Sequence, residues 1–183
     1  TDTILYRESQ LFIDPRKKEL GARILSSLEK LHLTVKKLNL TIVDSSIYFK
    51  TAHSLGVPEE GLTNLKEQLF GLEANFEELN AIDFKKGCYV GQENTARMKL
   101  KKKLRKKLLA VKIDGDIEVG EDLKFGEIKI GKILIDKPHS FALVKLFDPD
   151  FSDFKDKELN CGKVKAKIIN SYWYTLLNFY FLL

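Results

Sequence analysis

Residues 84–97 read Phe-Lys-Lys-Gly-Cys-Tyr-Val-Gly-Gln-Glu-Asn-Thr-Ala-Arg, and the interpretation of the whole chain depends on them. A thiol, a phenol, an amide, a carboxylate and a guanidinium stand here beside two glycines. Glycine accepts backbone angles that other residues avoid, and it lets a ligand approach the main chain closely. We therefore take residues 84–97, called the signature segment below, as the candidate functional centre.

The overall composition indicates a soluble globular chain with room for one large domain or two small ones. It has 183 residues, 44% of them hydrophobic and 31% charged, with a formal net charge of +5, and a chain of this length can bury a sizeable core. Its two cysteines, Cys88 and Cys161, are too few for a disulfide framework and lack metal-type spacing. Nothing near Thr1 resembles a secretion signal. We therefore expect a reducing compartment.

The first forty residues predict a strand, a long helix and a second strand. Residues 11–13 form a short apolar run that could close a strand. Asp14 followed by Pro15 is typical of a helix start, and apolar residues recur at helical spacing over residues 15–33. Alternation of apolar and polar residues over 38–42 favours a short strand.

A second helix is predicted just after this strand. Asp44 should open it, and Gly56 and Pro58 should stop it, because both residues are typical of helix ends. Leucines at positions 62, 65 and 69 suggest one more helix before the signature segment.

The pattern changes to short strands beyond Leu108. Apolar residues alternate with polar ones and glycines separate the runs, which predicts a small antiparallel barrel or sandwich. The boundary falls between Arg97 and Leu108, so we expect domains over residues 1–100 and 101–183. The predicted fold class is α+β.

A basic run joins the two predicted domains. Between Lys99 and Lys107 only two leucines interrupt seven basic residues. Leucines at positions 100, 104 and 108 would anchor one side of a helical segment, with the cations facing water. An RNA-docking surface centred on residues 101–103 is an alternative interpretation. The chain shows no RNA-binding motif, so we do not expect specific nucleic-acid recognition.

Several other features receive no functional assignment. The apolar residues 172–183 are too few for a membrane helix, so a buried or poorly determined terminus is expected rather than a membrane anchor. His32, His53 and His139 are scattered without ligand-like pairing, so no metal site is predicted. Cys161 is expected in the core, as free cysteines often are.

The signature segment resembles that of a known family. Lys86 to Glu93, with Arg97 four residues on, is similar to the K-G-C-Y-x-G-Q-E…R signature of the YgfZ folate-binding proteins, relatives of the T protein (aminomethyltransferase) of the glycine cleavage system. Other segments resemble the family in the same order: Asp14-Pro15-Arg16, Leu20-Gly21-Ala22-Arg23, Gly56-Val57-Pro58 and Glu73-Ala74-Asn75.

The sequence also departs from the family pattern. Ala52 and Gly71 replace an expected arginine and proline, and Lys101-Lys102 replaces an arginine–glycine pair. The resemblance implies a folate-binding domain that is truncated at its N-terminus, followed by a small β-barrel.

The resemblance implies a folate site built from the signature segment and one residue before it. Its members would be Glu73, Lys86, Gly87, Tyr89, Gly91, Gln92, Glu93 and Arg97. The carboxylates of Glu73 and Glu93 could accept hydrogen bonds from the pterin edge of tetrahydrofolate. Arg97 could bind the glutamyl carboxylate or pair with Glu93, and Tyr89 could stack on a flat ring or simply pack.

Cys88 allows two interpretations. Nearby lysines and glycines could lower its pKa and make it a nucleophilic or redox thiol, or it could be a small buried residue. The T protein relatives lack this cysteine, so methylene transfer does not require it.

The function implied by the resemblance is that of a folate-binding accessory protein. It would assist assembly or repair of iron–sulfur clusters in enzymes such as tRNA methylthiotransferases, with tetrahydrofolate as cofactor. The enzymatic alternative is a tetrahydrofolate-dependent one-carbon transferase like the T protein, and a turnover assay for folate methylene formation would separate the two.

Overall fold

The chain combines a small sheet and helices with a closed β-barrel. The computed structural model describes residues 3–87, 90–100 and 104–169. A three-stranded antiparallel sheet comes first, in the order β1–β2–β3: β1 (Thr3–Tyr6), β2 (Ser9–Ile13) and β3 (Ala22–Leu25). Two helices follow it, α1 (Leu28–Lys37) and α2 (Ser45–Ser54). The predicted mixture of helices and strands is confirmed.

The predicted helix over residues 15–33 is wrong, although the strand at 11–13 is confirmed within β2. The chain instead makes a short 3-10 turn at Lys18–Leu20, turns at Gly21 with φ of +84°, and enters β3. Asp14 caps no helix, since its carboxylate binds arginines described below. Helix α1 begins only after Ser27, whose hydroxyl accepts a hydrogen bond from the Lys30 N–H.

The predicted strand over residues 38–42 is also absent, because α1 extends to Lys37 and the next residues form a turn and an irregular segment. Helix α2 is confirmed. The Asp44 carboxylate accepts from the Ser46 N–H at 2.8 Å and so satisfies an unpaired donor at the helix start. The helix predicted over residues 62–69 is reduced to one 3-10 turn, Leu62–Leu65.

The first sheet, α1 and the segment between α1 and α2 leave large apolar side chains in contact with solvent. Leu5 is 76% exposed, Leu28 70% and Ile42 73%. No described residue covers these three side chains fully.

The predicted barrel is confirmed as a closed six-stranded antiparallel barrel in the order β4–β7–β6–β5–β8–β9. Its strands are β4 (Lys106–Asp114), β5 (Asp122–Phe125), β6 (Ile128–Ile135), β7 (Phe141–Lys145), β8 (Leu159–Cys161) and β9 (Val164–Ile168). Closure removes the free edges that an open sheet would present. A short helix, α4 (Phe151–Phe154), lies between β7 and β8. The sequence did not indicate β5, β8 or α4.

The segments before the barrel pack directly onto it. Ala52 of α2 and Val57 join the core inside the barrel. On the outer face of the barrel, Leu108 and Phe141 belong to a second cluster, against which Leu65 packs. Of the elements before the barrel, α2 and the residues that follow it therefore rest against the barrel.

The region between the predicted domains is not one continuous helix. Helix α3 (Gln92–Leu100) ends at Leu100, and Leu108 lies in β4, so the predicted helical segment through Leu108 is wrong. Residues 101–103, the core of the proposed RNA-docking surface, lie outside the described residues. The domain boundary at residues 100–101 stays a prediction.

The helices of the described ranges are all too short or too polar to cross a bilayer. The apolar residues 172–183 lie outside those ranges, so the expectation for this terminus stays untested.

Candidate functional site

The described residues of the signature segment before α3, residues 84–87 and 90–91, are exposed. Lys86 and Gly87 are exposed, and Gly91 just before the helix has φ of +89°. A side chain would be strained at that angle, so the turn itself requires a glycine at this position. Cys88 and Tyr89 lie outside the described residues, and their predicted roles stay predictions.

Helix α3 has one half-buried face and one exposed face. Glu93 and Arg97 are exposed and lie four residues apart, so their side chains emerge on the same side, roughly 6 Å apart at Cβ. Five of its residues are half-buried, and the first four of them recur at i, i+3, i+4 and i+7: Gln92, Thr95, Ala96, Lys99 and Met98. The helix thus presents a carboxylate and a guanidinium outward while its other face rests on the protein.

Glu73 is held in a turn that contacts the barrel. Its carboxylate accepts from the Phe70 N–H at 2.9 Å, and its carbonyl oxygen accepts from the Leu108 N–H at 2.8 Å. The first bond maintains the local turn and the second fastens the turn to β4, so Glu73 has a structural role whether or not a ligand binds.

The segment after Glu73 carries buried polar contacts to β4. The Asn75 side chain is fully buried and donates to the Leu108 carbonyl oxygen at 2.8 Å. Lys107 is also buried and forms an ion pair with Glu78. Burial lowers the pKa of Lys107, and Glu78 opposes that change by stabilising the ammonium. The prediction that the cations of the basic run face water is therefore wrong for Lys107.

Another ion pair reaches α3 from this segment. Lys99 in the last turn of α3 pairs with Glu77, and its ammonium lies 5.3 Å from the centre of the Phe84 ring. These contacts join the start and end of the signature segment to the turn that holds Glu73.

A charged network that the sequence analysis did not identify as a site lies near the first sheet. The Asp14 carboxylate accepts from Arg16 at 2.9 Å and from Arg23 at 2.5 Å, and its side chain is only 1% exposed. The Tyr48 hydroxyl accepts from both guanidinium groups and donates to the Glu59 carboxylate at 2.7 Å. Arg16 also pairs with Glu59 at 2.8 Å.

This network lowers the pKa of Asp14 well below its usual range, chiefly through the hydrogen bond from Arg16. Arg16 itself has a raised pKa, mainly because it binds Asp14. Burial and the neighbouring Glu59 raise the pKa of Tyr48. The sequence carries one signal for this cluster, the opposite charges of the D-P-R, L-G-x-R and G-V-P-E segments. Only the fold shows that these side chains contact one another.

Two of the three histidines are neighbours in the fold, although their positions in the sequence are far apart. The rings of His53 and His139 lie 5.3 Å apart between α2 and the β6–β7 loop. His53 Nε2 donates to the Ser140 carbonyl oxygen at 2.9 Å, and His139 Nδ1 donates to the Glu60 carboxylate at 2.7 Å. Burial lowers the pKa of His53, which favours its neutral form. Within residues 3–87, 90–100 and 104–169, no group of three or more ligating side chains could hold a metal ion.

Cys161 lies in the barrel core, as predicted. It is completely buried in β8, with its sulfur 3.7 Å from a Glu121 carboxylate oxygen. Burial raises the pKa of this thiol to about 11, so it stays protonated and inert at neutral pH.

Comparison with known proteins places the chain beside mitochondrial assembly factors. No family model matches the chain. The iron-sulfur cluster assembly factor IBA57 homolog of Pyricularia oryzae is 36% identical over 96 residues, which cover 52% of this chain and 24% of that protein. The homolog of Dictyostelium discoideum is 34% identical over 109 residues, which cover 57% of this chain and 26% of that protein. The mouse factor is 34% identical over 110 residues, which cover 60% of this chain and 30% of that protein.

The matched stretch thus spans about a quarter of the length of these relatives. Over more than half of its own length, the chain is similar to mitochondrial iron–sulfur cluster assembly factors.

Proposed function

We propose that this chain acts as a tetrahydrofolate-binding accessory protein in the assembly or repair of iron–sulfur clusters, within the group that includes the YgfZ proteins. The observation that carries the proposal is the similarity to curated iron–sulfur cluster assembly factors. The K-G-C-Y-V-G-Q-E signature supports the folate part. Because the relatives are named as mitochondrial, the mitochondrial matrix is the preferred location over a bacterial cytoplasm.

The geometry of α3 supports a folate contact at the signature. Glu93 and Arg97 emerge on one exposed face of the helix. The Glu93 carboxylate offers two acceptor oxygens, and the Arg97 guanidinium offers five N–H donors. A carboxylate can accept the N–H groups of the pterin, and a guanidinium can bind a carboxylate of the glutamyl tail. Lys86, Gly87 and Gly91, which precede the helix, are exposed to solvent.

Calorimetric titration of the full chain with tetrahydrofolate tests the folate site. We expect saturable binding that weakens at least roughly ten-fold in Glu93→Ala and in Arg97→Ala, because each removes a charge-assisted hydrogen bond. Asn94→Ala, on the same exposed face, is the matched control and should bind normally. Absence of binding, or equal affinity in all three variants, would exclude the folate site proposed here.

The iron–sulfur role is tested separately through Cys88. In cells that depend on this protein, Cys88→Ala should reduce the methylthiolation of tRNA, which requires an iron–sulfur enzyme. Cys88→Ser keeps the size of the side chain but removes the nucleophilic sulfur, so it should show the same loss. Full methylthiolation with both variants would remove the thiol from the proposal and leave the folate site unaffected.

A further inference from the structure

The two ends of the signature segment are joined to each other by side chains. Phe84 stands at its start, and Lys99 lies two residues beyond its end, in the last turn of α3. The Lys99 ammonium lies 5.3 Å from the centre of the Phe84 ring, within the range of a cation–π contact. This contact ties Phe84, at the start of the signature segment, to the last turn of the helix that carries Glu93 and Arg97.

The Lys99 ammonium makes a second contact, with a carboxylate. Lys99 forms an ion pair with Glu77, and both side chains are only partly exposed, at 39% and 34%. Glu77 precedes Glu78, whose partner Lys107 is buried in β4. A continuous series of contacts therefore leads from the barrel wall through the turn to the last turn of α3.

The orientation of α3 makes this arrangement important for the site. Lys99 lies on the half-buried face, whereas Glu93 and Arg97 lie on the exposed one. Successive residues rotate by about 100°, so Lys99 points away from Arg97 by roughly 160°. Fixing Lys99 against the protein therefore fixes the direction in which the other two side chains emerge.

We propose that Glu77, Lys99 and Phe84 form a clasp that positions α3, and with it Glu93 and Arg97, for ligand binding. None of the three needs to touch the ligand, so they are positioning residues. The clasp restricts the motion of α3 before binding, and a preorganised site binds more tightly than one that must be ordered on binding. The identity of the ligand rests on the proposed function, but the clasp itself does not.

Hydrogen–deuterium exchange of the unliganded full chain tests the clasp without any ligand. In Lys99→Gln we expect the amides of α3 to exchange roughly three- to ten-fold faster, because both the ion pair and the ring contact are lost. Lys99→Arg should restore most of the protection, since a guanidinium can make both contacts. Lys112→Gln, at an exposed position of β4, is the control and should change nothing in α3. Unchanged exchange in Lys99→Gln would overturn the clasp.

Tetrahydrofolate titration of the same variants tests the positioning role. We expect the dissociation constant to rise roughly three- to ten-fold in Lys99→Gln and in Phe84→Leu, with recovery in Lys99→Arg. Faster exchange with unchanged affinity would refute positioning. If the unmodified chain binds no tetrahydrofolate, the folate proposal fails, and the exchange result still decides the clasp.

Discussion

Replacement of Asp14 by alanine should lower the free energy of unfolding by about 3 kcal/mol, because charge-assisted hydrogen bonds to a buried group are lost. The Asp14 side chain is 1% exposed and binds both Arg16 and Arg23. Without it, two guanidinium groups share the single remaining carboxylate of Glu59 and repel each other. Urea denaturation followed by circular dichroism would measure the change.

Asp44→Ala provides the matched control for this prediction. It also removes an aspartate that accepts a backbone N–H, but Asp44 is exposed and serves only as a helix cap. The expected cost is about 1 kcal/mol. Equal losses in the two variants would show that the charged network adds nothing beyond a local cap.

The same network predicts an acid-dependent loss of stability. The pKa of Asp14 is lower in the folded chain than in the unfolded one, so the unfolded state binds the proton more readily. The contribution of Asp14 is therefore complete above the unfolded value, near pH 4, and decreases as the pH falls below it. Asp14→Asn should show a flatter stability profile between about pH 4 and pH 2.

The barrel and the second helix could be predicted from sequence because their signals are local. The apolar runs of β4 and β6 are buried over most of their length, and the cap of α2 depends on Asp44 and its immediate neighbours. The failure at residues 15–33 has a physical cause. Apolar residues there repeat at helical spacing, but Gly21 adopts a left-handed angle, and both arginines that bind Asp14 also bind Tyr48 of α2, so tertiary contacts override the pattern.

In the candidate site, too, local features could be predicted from sequence and long-range contacts could not. The signature segment could be found because its residue types are dense and consecutive. The faces of α3 could be assigned only from the structure, since Lys99 is drawn inward by Glu77 and Phe84, which lie 22 and 15 residues earlier. The burial of Lys107 was equally unpredictable, because a run of lysines is ordinarily a solvated face and its partner Glu78 lies 29 residues away.

Removal of the Glu78 carboxylate should be the most destabilising change near the signature segment. Lys107 is 1% exposed, and in Glu78→Ala its ammonium would remain buried without this partner. Breaking a buried pair from one side costs about 3–5 kcal/mol, because the remaining charge stays desolvated and loses the carboxylate that offset this cost. Chemical denaturation would measure the loss of free energy of unfolding.

Two further variants separate the buried charge from the loss of side-chain packing. Glu77→Ala removes the adjacent carboxylate, whose partner Lys99 is 39% exposed, so it should cost no more than about 1 kcal/mol. The double variant Glu78→Leu with Lys107→Met replaces the pair by apolar side chains, and it should recover most of the stability lost in Glu78→Ala. Failure of the double variant to recover would show that packing by the Lys107 and Glu78 stems, rather than charge compensation, holds this turn against β4. Recovery would show that the two charges are tolerated at this buried position because each neutralises the other. The pair would then stabilise the fold only when both of its members are present.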